Sequence, residues 1–427
     1  MAILSLVVVV GGLGIGYALL GGKGSNGPAI ASFDSAQAAL ELARTNLSRV
    51  IGPGVDLVLN DPPRAEKLLT EAYAALKTAE KANLPTATTG PLRTQLVAAL
   101  DRLYGMVDVS TTSIFNFPSD VAVELKALVK GPDGAPFVLD AATKAVYRID
   151  LATRKATVIF REGNKAVGAT EGAPKLLTVG GRDLLMVDSK NVVWRWRPAN
   201  AAGKGTITRV RVSGATEWGD DILAIGTFIR NTEANLYNFY VVDPSAQQIL
   251  RYSPAADGSG FPQQPNLYLT APRDVSGISA LYIDGDIWLA DDGQVLRLVN
   301  GNSAGWSASA PGDAILRNAP TYRSIASAAE RRTGTIYGFD AGNDRVVGLS
   351  KVNGVFLAQY RLGGGATGWS DLRGWYIEPG LDQEPDAIVW IGAKGLNRAL
   401  LQPTAAGPGP SAAPSPSGGS GSPRASQ

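Results

Sequence analysis

The sequence predicts a mainly β protein: a six-bladed β-propeller preceded by one transmembrane helix and a short α-helical segment. Three observations carry the prediction. Gly (50 residues) and Pro (26) are abundant while only 18% of the 427 residues are charged, a balance that favours turns over solvated helix faces. The hydrophobic pattern switches from a helical period to a period of two after Phe117. Beyond that point an apolar run ending in aspartate recurs at near-equal spacing.

Residues 2–20 contain no charged side chain. At ~1.5 Å per residue such a run just crosses a hydrocarbon layer of ~30 Å, so residues 1–22 are read as an uncleaved transmembrane anchor. A signal peptide is the competing reading through Ala29-Ile30-Ala31, but that site lies well past the apolar run and no basic region precedes it. The single flanking Lys23 marks orientation poorly, and the bare N-terminal flank carries the expectation that Met1 is an internal start in a longer chain. Gly12 and Gly16 form one G-x-x-x-G pair, which leaves open a homodimer through the anchor or the helical stalk.

Residues 32–104 form that stalk, expected as three short helices. Ala36, Leu40, Ala43, Leu47 and Val50 share one helical face; Leu68, Leu69, Ala72, Leu76 and Ala79 share a second; Leu92, Leu96, Leu100 and Leu103 share a third. Asp61 before Pro62 is a helix start, and Gly52-Pro53-Gly54 and Gly90-Pro91 are read as breaks.

Residues 111–402 are the propeller. The repeats end at Asp140, Asp188, Asp243, Asp291 and Asp340, with a degenerate sixth copy at Val389-Trp390-Ile391-Gly392; the spacings are 48, 55, 48, 49 and 52. Each unit has room for four short strands, the content of one blade. The last unit lacks a fourth strand, and the orphan β run Thr111–Phe117 is expected to supply it and close the ring. Residues 403–427, almost entirely Pro, Gly, Ser and Ala, are read as a disordered tail.

Composition removes whole classes of chemistry. With no His and no Cys, the chain has no Ser/His/Asp or Cys/His catalysis, no thiolate zinc and no disulfides. The net charge of +2 demands no polyanionic partner, and no nucleic-acid signature stands out. No cofactor is expected. The recurrent aspartates are read as structural, each capping the turn after its strand. Acidic pairs at Asp220-Asp221, Asp284 with Asp286, and Asp291-Asp292 lack the spacing of a calcium loop.

The segment Asp340-Ala-Gly-Asn343-Asp-Arg345-Val346 resembles the NHL repeat, and the other units are similar to NHL, YWTD and gluconolactonase-like six-bladed propellers. The order anchor, helical segment, propeller resembles the outer sensor half of bacterial receptor-like PPM-type phosphatases or kinases. The gluconolactonase resemblance implies an alternative function: a metal-dependent hydrolase or lyase with carboxylates in the channel. Leu139–Tyr147 is similar to a quinoprotein repeat, but the glycine after the threonine is missing and no second blade repeats it, so no PQQ is expected.

The sharpest local feature is Trp194-Arg195-Trp196-Arg197 followed by Thr208-Arg209-Val210-Arg211. If the two runs are antiparallel neighbours, four guanidinium groups share a face and offer a surface to a protein or anionic ligand, with Trp194 and Trp196 beside them. The expected function is therefore a membrane-anchored, extracytoplasmic, non-catalytic module for binding, sensing or scaffolding, and not an enzyme. Deleting residues 403–427 is expected to change the free energy of unfolding by less than ~0.5 kcal/mol, since the tail has nothing to bury; urea denaturation checks this, and a larger drop means that the tail docks.

Overall fold

The computed structural model describes residues 33–402, apart from 167–168, 200–203, 329–331, 364–368, 370–371, 373 and 382–383. The expected anchor, residues 1–22, and the expected tail, residues 403–427, lie outside the described residues. Among those described, no helix is long and apolar enough to cross a membrane. The chain divides into two compact units, one built from residues up to 55 together with 67–96, the other from 56–66 together with 97–402.

Three helices, Phe33–Val50, Pro62–Lys81 and Thr86–Leu103, account for most of the chain before the strands. In the first unit the small apolar residues form the buried stripe: Ala36, Leu40, Ala43, Leu69, Ala72 and Leu76 are fully inaccessible. Asp61 does start the second helix, its carboxylate accepting the Arg64 N–H (3.3 Å). Gly90-Pro91 does not break the third. Pro91 lies inside Thr86–Leu103, within its first two turns, where proline deletes one backbone bond while Leu92 and Leu96 stay buried. An additional single turn, Leu57–Asn60, begins at Asp56, whose carboxylate accepts the Leu59 N–H (3.4 Å).

The second unit is a six-bladed propeller. Blade 1 consists of Leu125–Lys130, Pro136–Asp140, Ala145–Asp150 and Lys155–Arg161, in sequence order and antiparallel. Blade 2 follows as Pro174–Gly180, Asp183–Asp188, Val193–Pro198 and Gly205–Val212. Blades 3 and 4 begin at Ala224–Asn231 and Ile278–Ile283, and end on two-residue outer strands, Asn266–Leu267 and Asn302–Ser303. Blade 5 runs from Tyr322–Ala326 to Phe356–Leu362. The first strand of every blade approaches its counterparts in both flanking blades, so the six first strands form the closed inner wall.

Blade 6 is completed from elsewhere in the chain. Trp375–Glu378, Ala387–Ile391 and Gly395–Leu400 supply three strands, and Thr112–Asn116 pairs antiparallel with the third as the outermost. The orphan run therefore takes the closing position. Two further additions carry no sequence signal: Met106–Val109 joins blade 5 parallel to Phe356–Leu362, and Gly260–Phe261 joins blade 2 parallel to Gly205–Val212.

The core is distributed around the ring. Six apolar clusters each bridge one pair of neighbouring blades, with Trp194 and Phe137 between blades 1 and 2, and Trp288 and Tyr322 between blades 4 and 5. At the closure, Phe115 meets Phe117 edge-on at 5.0 Å and Phe117 meets Tyr147 of blade 1 at 5.3 Å. Phe115→Ala removes a buried ring from that interface and is expected to cost about 3–5 kcal/mol in urea denaturation; a loss within the range of a surface change, ~0.5 kcal/mol, means that the strand does not hold the ring closed.

Candidate functional site

The recurrent aspartates are buried and bonded. Asp140 accepts the N–H groups of Glu124 (2.5 Å), Ala142 (3.3 Å) and Thr143 (3.2 Å). Asp188 accepts those of Gly172 (3.1 Å), Lys190 (2.9 Å) and Val192 (3.0 Å), with the Trp194 indole N–H at 2.8 Å. Asp243 accepts from Gly219 (3.4 Å) and Ser245 (3.0 Å), and Asp340 from the Thr321 N–H (3.0 Å) and, in the turn, from the Asn343 side-chain amide (2.7 Å). In each of these four blades one oxygen of the carboxylate thus closes the turn after the second strand, while the other or the same oxygen holds the segment leading into the first. Asp291 differs: it pairs with Arg273, and burial pushes its carboxyl up while that guanidinium opposes the shift.

Of the acidic pairs named from the sequence, Asp284 with Asp286 is likewise committed, whereas Asp220-Asp221 is exposed. Asp284 accepts from the buried Lys351 ammonium (2.8 Å) and the Trp288 indole (3.1 Å), and Asp286 accepts the Arg297 guanidinium at 2.9 and 2.6 Å. Among the described residues no group of three or more His, Cys, Asp or Glu side chains converges as a metal would require.

A second repeat emerges from the strand register. Arg148, Arg195, Arg251, Arg297 and Arg398 occupy the same place on the third strand of five blades, opposite Phe137, Leu185, Tyr240, Trp288 and Val389. Four of the five are tied down: Arg148 to Asp133 (2.6 Å), Arg195 to the Gly258 carbonyl (2.8 Å), Arg297 to Asp286, and Arg398 to Glu378 (3.2 Å). The recurring arginine was legible in the sequence; its structural meaning needed the pairing.

The blade 2 cluster comes apart in this light. Val193–Pro198 and Gly205–Val212 are antiparallel neighbours, but Arg209 lies opposite Trp194, while Arg195 and Arg197 lie opposite Thr208 and Thr206. Directly paired residues share a face, so Arg195 and Arg197 are on one side of the blade and Arg209 and Arg211 on the other. The expected face of four guanidinium groups does not form. Trp194 and Trp196 are core residues, packed on Phe160 (5.6 Å) and Phe137 (5.0 Å) and closed to a ligand.

Arg197 is a clamp. It grips the fully buried Asp183 bidentately at 2.6 and 2.8 Å, and the same carboxylate accepts from Asn235 (3.1 Å) and the Tyr237 hydroxyl (2.8 Å) of blade 3. Burial, then the Asp183 charge, push the Tyr237 phenol well above its ordinary range. A larger ion network fastens blade 5. Arg345, fully buried, bridges Asp340 (2.8 Å) and Asp313 (2.5 Å); Arg317 joins Asp313 to Asp101 (2.6 Å); and Arg361 joins Asp101 to Asp108.

What stays open is Arg209 and Arg211. Both are exposed and, among the described residues, neither has an ion pair; with Lys190 they line a groove of about 340 Å3 on blade 2. The sequence reading found these two arginines but grouped them with the wrong neighbours and missed Lys190.

No protein-family model and no curated protein matches the sequence. Solved structures do: virginiamycin B lyase from Staphylococcus aureus is 14% identical over 67% of this chain and 84% of that one, with a TM-score of 0.42. The PQQ-bound aldose sugar dehydrogenase of Streptomyces coelicolor is 13% identical over 69% and 98%, with a TM-score of 0.39. The WD40 repeats of RRP9 are 11% identical over 69% and 98%, with a TM-score of 0.42. No residue of the site is carried over from likenesses of this size.

Asp183→Ala leaves Arg197, Asn235 and Tyr237 without their shared acceptor and is expected to destabilise the chain by about 3–5 kcal/mol, whereas Arg209→Ala is expected to stay within ~0.5 kcal/mol. Urea denaturation of both variants checks the division into clamp and open arginine, and equal losses overturn it.

Proposed function

We propose that this chain is a non-catalytic binding and scaffolding propeller, held at a membrane by residues 1–22 and facing outward, suited to the sensor part of a signalling chain. One observation carries the non-catalytic reading: in a chain without His or Cys, seven buried aspartates that could do chemistry are spent on structure. Asp140, Asp188, Asp243 and Asp340 accept backbone N–H groups, and Asp183, Asp284 and Asp286 accept cations. A carboxylate whose lone pairs are filled by fixed donors has little left to offer a substrate or a metal ion. The membrane part rests on the charge-free run of residues 2–20.

Two measurements test the proposal. The purified chain, incubated with Ca2+, Mn2+ or Zn2+ and a panel of lactones, is expected to show no turnover above the metal blank; metal-dependent hydrolysis lost in an acid-to-amide variant of unchanged melting temperature establishes the gluconolactonase-like alternative. Proteinase K added to spheroplasts is expected to degrade the propeller, and protection that ends only on lysis overturns the outward orientation.

A further inference from the structure

The groove on blade 2 gathers three cations that stand outside the pattern of paired charges. Arg148, Arg197, Arg297, Arg345 and Arg361 each meet a carboxylate. Lys190, Arg209 and Arg211 are exposed, none has an ion pair among the described residues, and no carboxylate lines the groove they share. Val192, half-buried, also lines the groove, and Val210 and Val212 alternate with the arginines on the other side of the strand, buried and half-buried, so the groove combines an apolar lining with three uncompensated cations. Glu217, next in the chain after a lining residue, has no ion pair with either arginine.

The backbone adds a second constraint. Gly205–Val212 is the fourth strand of its blade, and its parallel neighbour Gly260–Phe261 covers only Arg211 and Val212. From Gly205 to Val210 the outer edge has no strand partner among the described residues. Arg209 and Arg211 are two positions apart on one side of that strand, a separation of about 6.6–6.8 Å, which is also the separation of alternate side chains in an extended peptide.

We propose that this groove docks an extended acidic peptide of a partner protein in which carboxylates alternate with apolar residues, the carboxylates meeting Arg209, Arg211 and Lys190 and the apolar residues meeting the valines. The mode is strand addition along the free edge from Gly205 to Val210: main-chain bonds form there, up to Arg209, while Arg211, whose edge Gly260 occupies, and Lys190 are met through their side chains alone. Guanidinium forks bind carboxylates bidentately, and the exposed position makes the attraction sensitive to salt. The inference rests on the binding role proposed above and assigns it a surface and a class of partner.

The test uses the full-length chain in neutral detergent and a fluorescein-labelled peptide Gly-Glu-Val-Glu-Val-Glu, read by anisotropy. Saturable binding is expected, weakened about tenfold or more in R209E/R211E and less severely in R209Q/R211Q, and falling as salt rises. Arg195→Ala, on the opposite face, is expected to leave binding unchanged. Equal binding of the Gly-Gln-Val-Gln-Val-Gln peptide, an unaltered affinity in both double variants that keep the parental melting temperature, or binding to phosphatidylserine vesicles with none to the peptide each overturns the proposal. Lactone turnover by the parental chain overturns the non-catalytic reading and leaves the peptide measurement to stand or fall by itself.

Discussion

A carboxylate buried in a protein must find donors for its oxygens, and this propeller turns that requirement into its repeating joint. Asp140, Asp188, Asp243 and Asp340 each sit at the end of a second strand, inaccessible to water, where an unpaired charge would cost several kcal/mol. The donors come from two places at once: the tight turn that follows, and the N–H of a residue just ahead of the first strand. Joining these two fixes where the chain enters a blade relative to the hairpin that continues it. Repeated around the ring, the joint sets the inner wall, and the apolar clusters between blades fill in behind it. Blade 6 lacks the acid at this position, having Gly392, and closes the joint through the backbone: the Ile391 N–H donates to the Gly374 carbonyl just ahead of the first strand (3.0 Å) and the Gly392 N–H to the Gly395 carbonyl across the turn (3.0 Å).

Most of this was readable because few side chains serve such a joint. An acid that both closes a turn and reaches a second backbone segment has no substitute except asparagine or serine, so it recurs visibly in the sequence. The NHL-like segment Asp340–Val346 is where the repeat is fullest, and there Arg345 enters the joint and carries it on to Asp313 and Gln359 (2.5 Å). The parallel additions Met106–Val109 and Gly260–Phe261 were not readable. They occupy existing edges without a hairpin turn of their own, so no local turn chemistry announces them.

The open site was legible in part, for a reason rooted in the pleat. Strand alternation correctly separated Trp194 from Arg195, yet the relation of one strand to the next depends on register, and a slip of one residue exchanges faces. The register here places Arg209 beside Trp194, which splits the arginines into a structural pair and an exposed pair. Lys190 comes from a turn outside either strand, so no period could have included it.

The closing strand has a consequence for how the ring comes into being. Thr112–Asn116 is made early, but its partner Gly395–Leu400 is 281 residues further along at the Phe115–Leu396 pair. At roughly 5–20 residues per second, a ribosome leaves that strand waiting for tens of seconds with its edge unprotected. Contacts so distant in sequence are also intrinsically slow to form. The strand's make-up suits the wait: Thr111, Thr112, Ser113 and Asn116 surround Ile114 and Phe115, and Pro118 ends the stretch, so it is a poor template for pairing with another nascent chain. A sequence chosen only for the finished blade could carry more aliphatic residues here; this one keeps the edge polar until the last strand arrives.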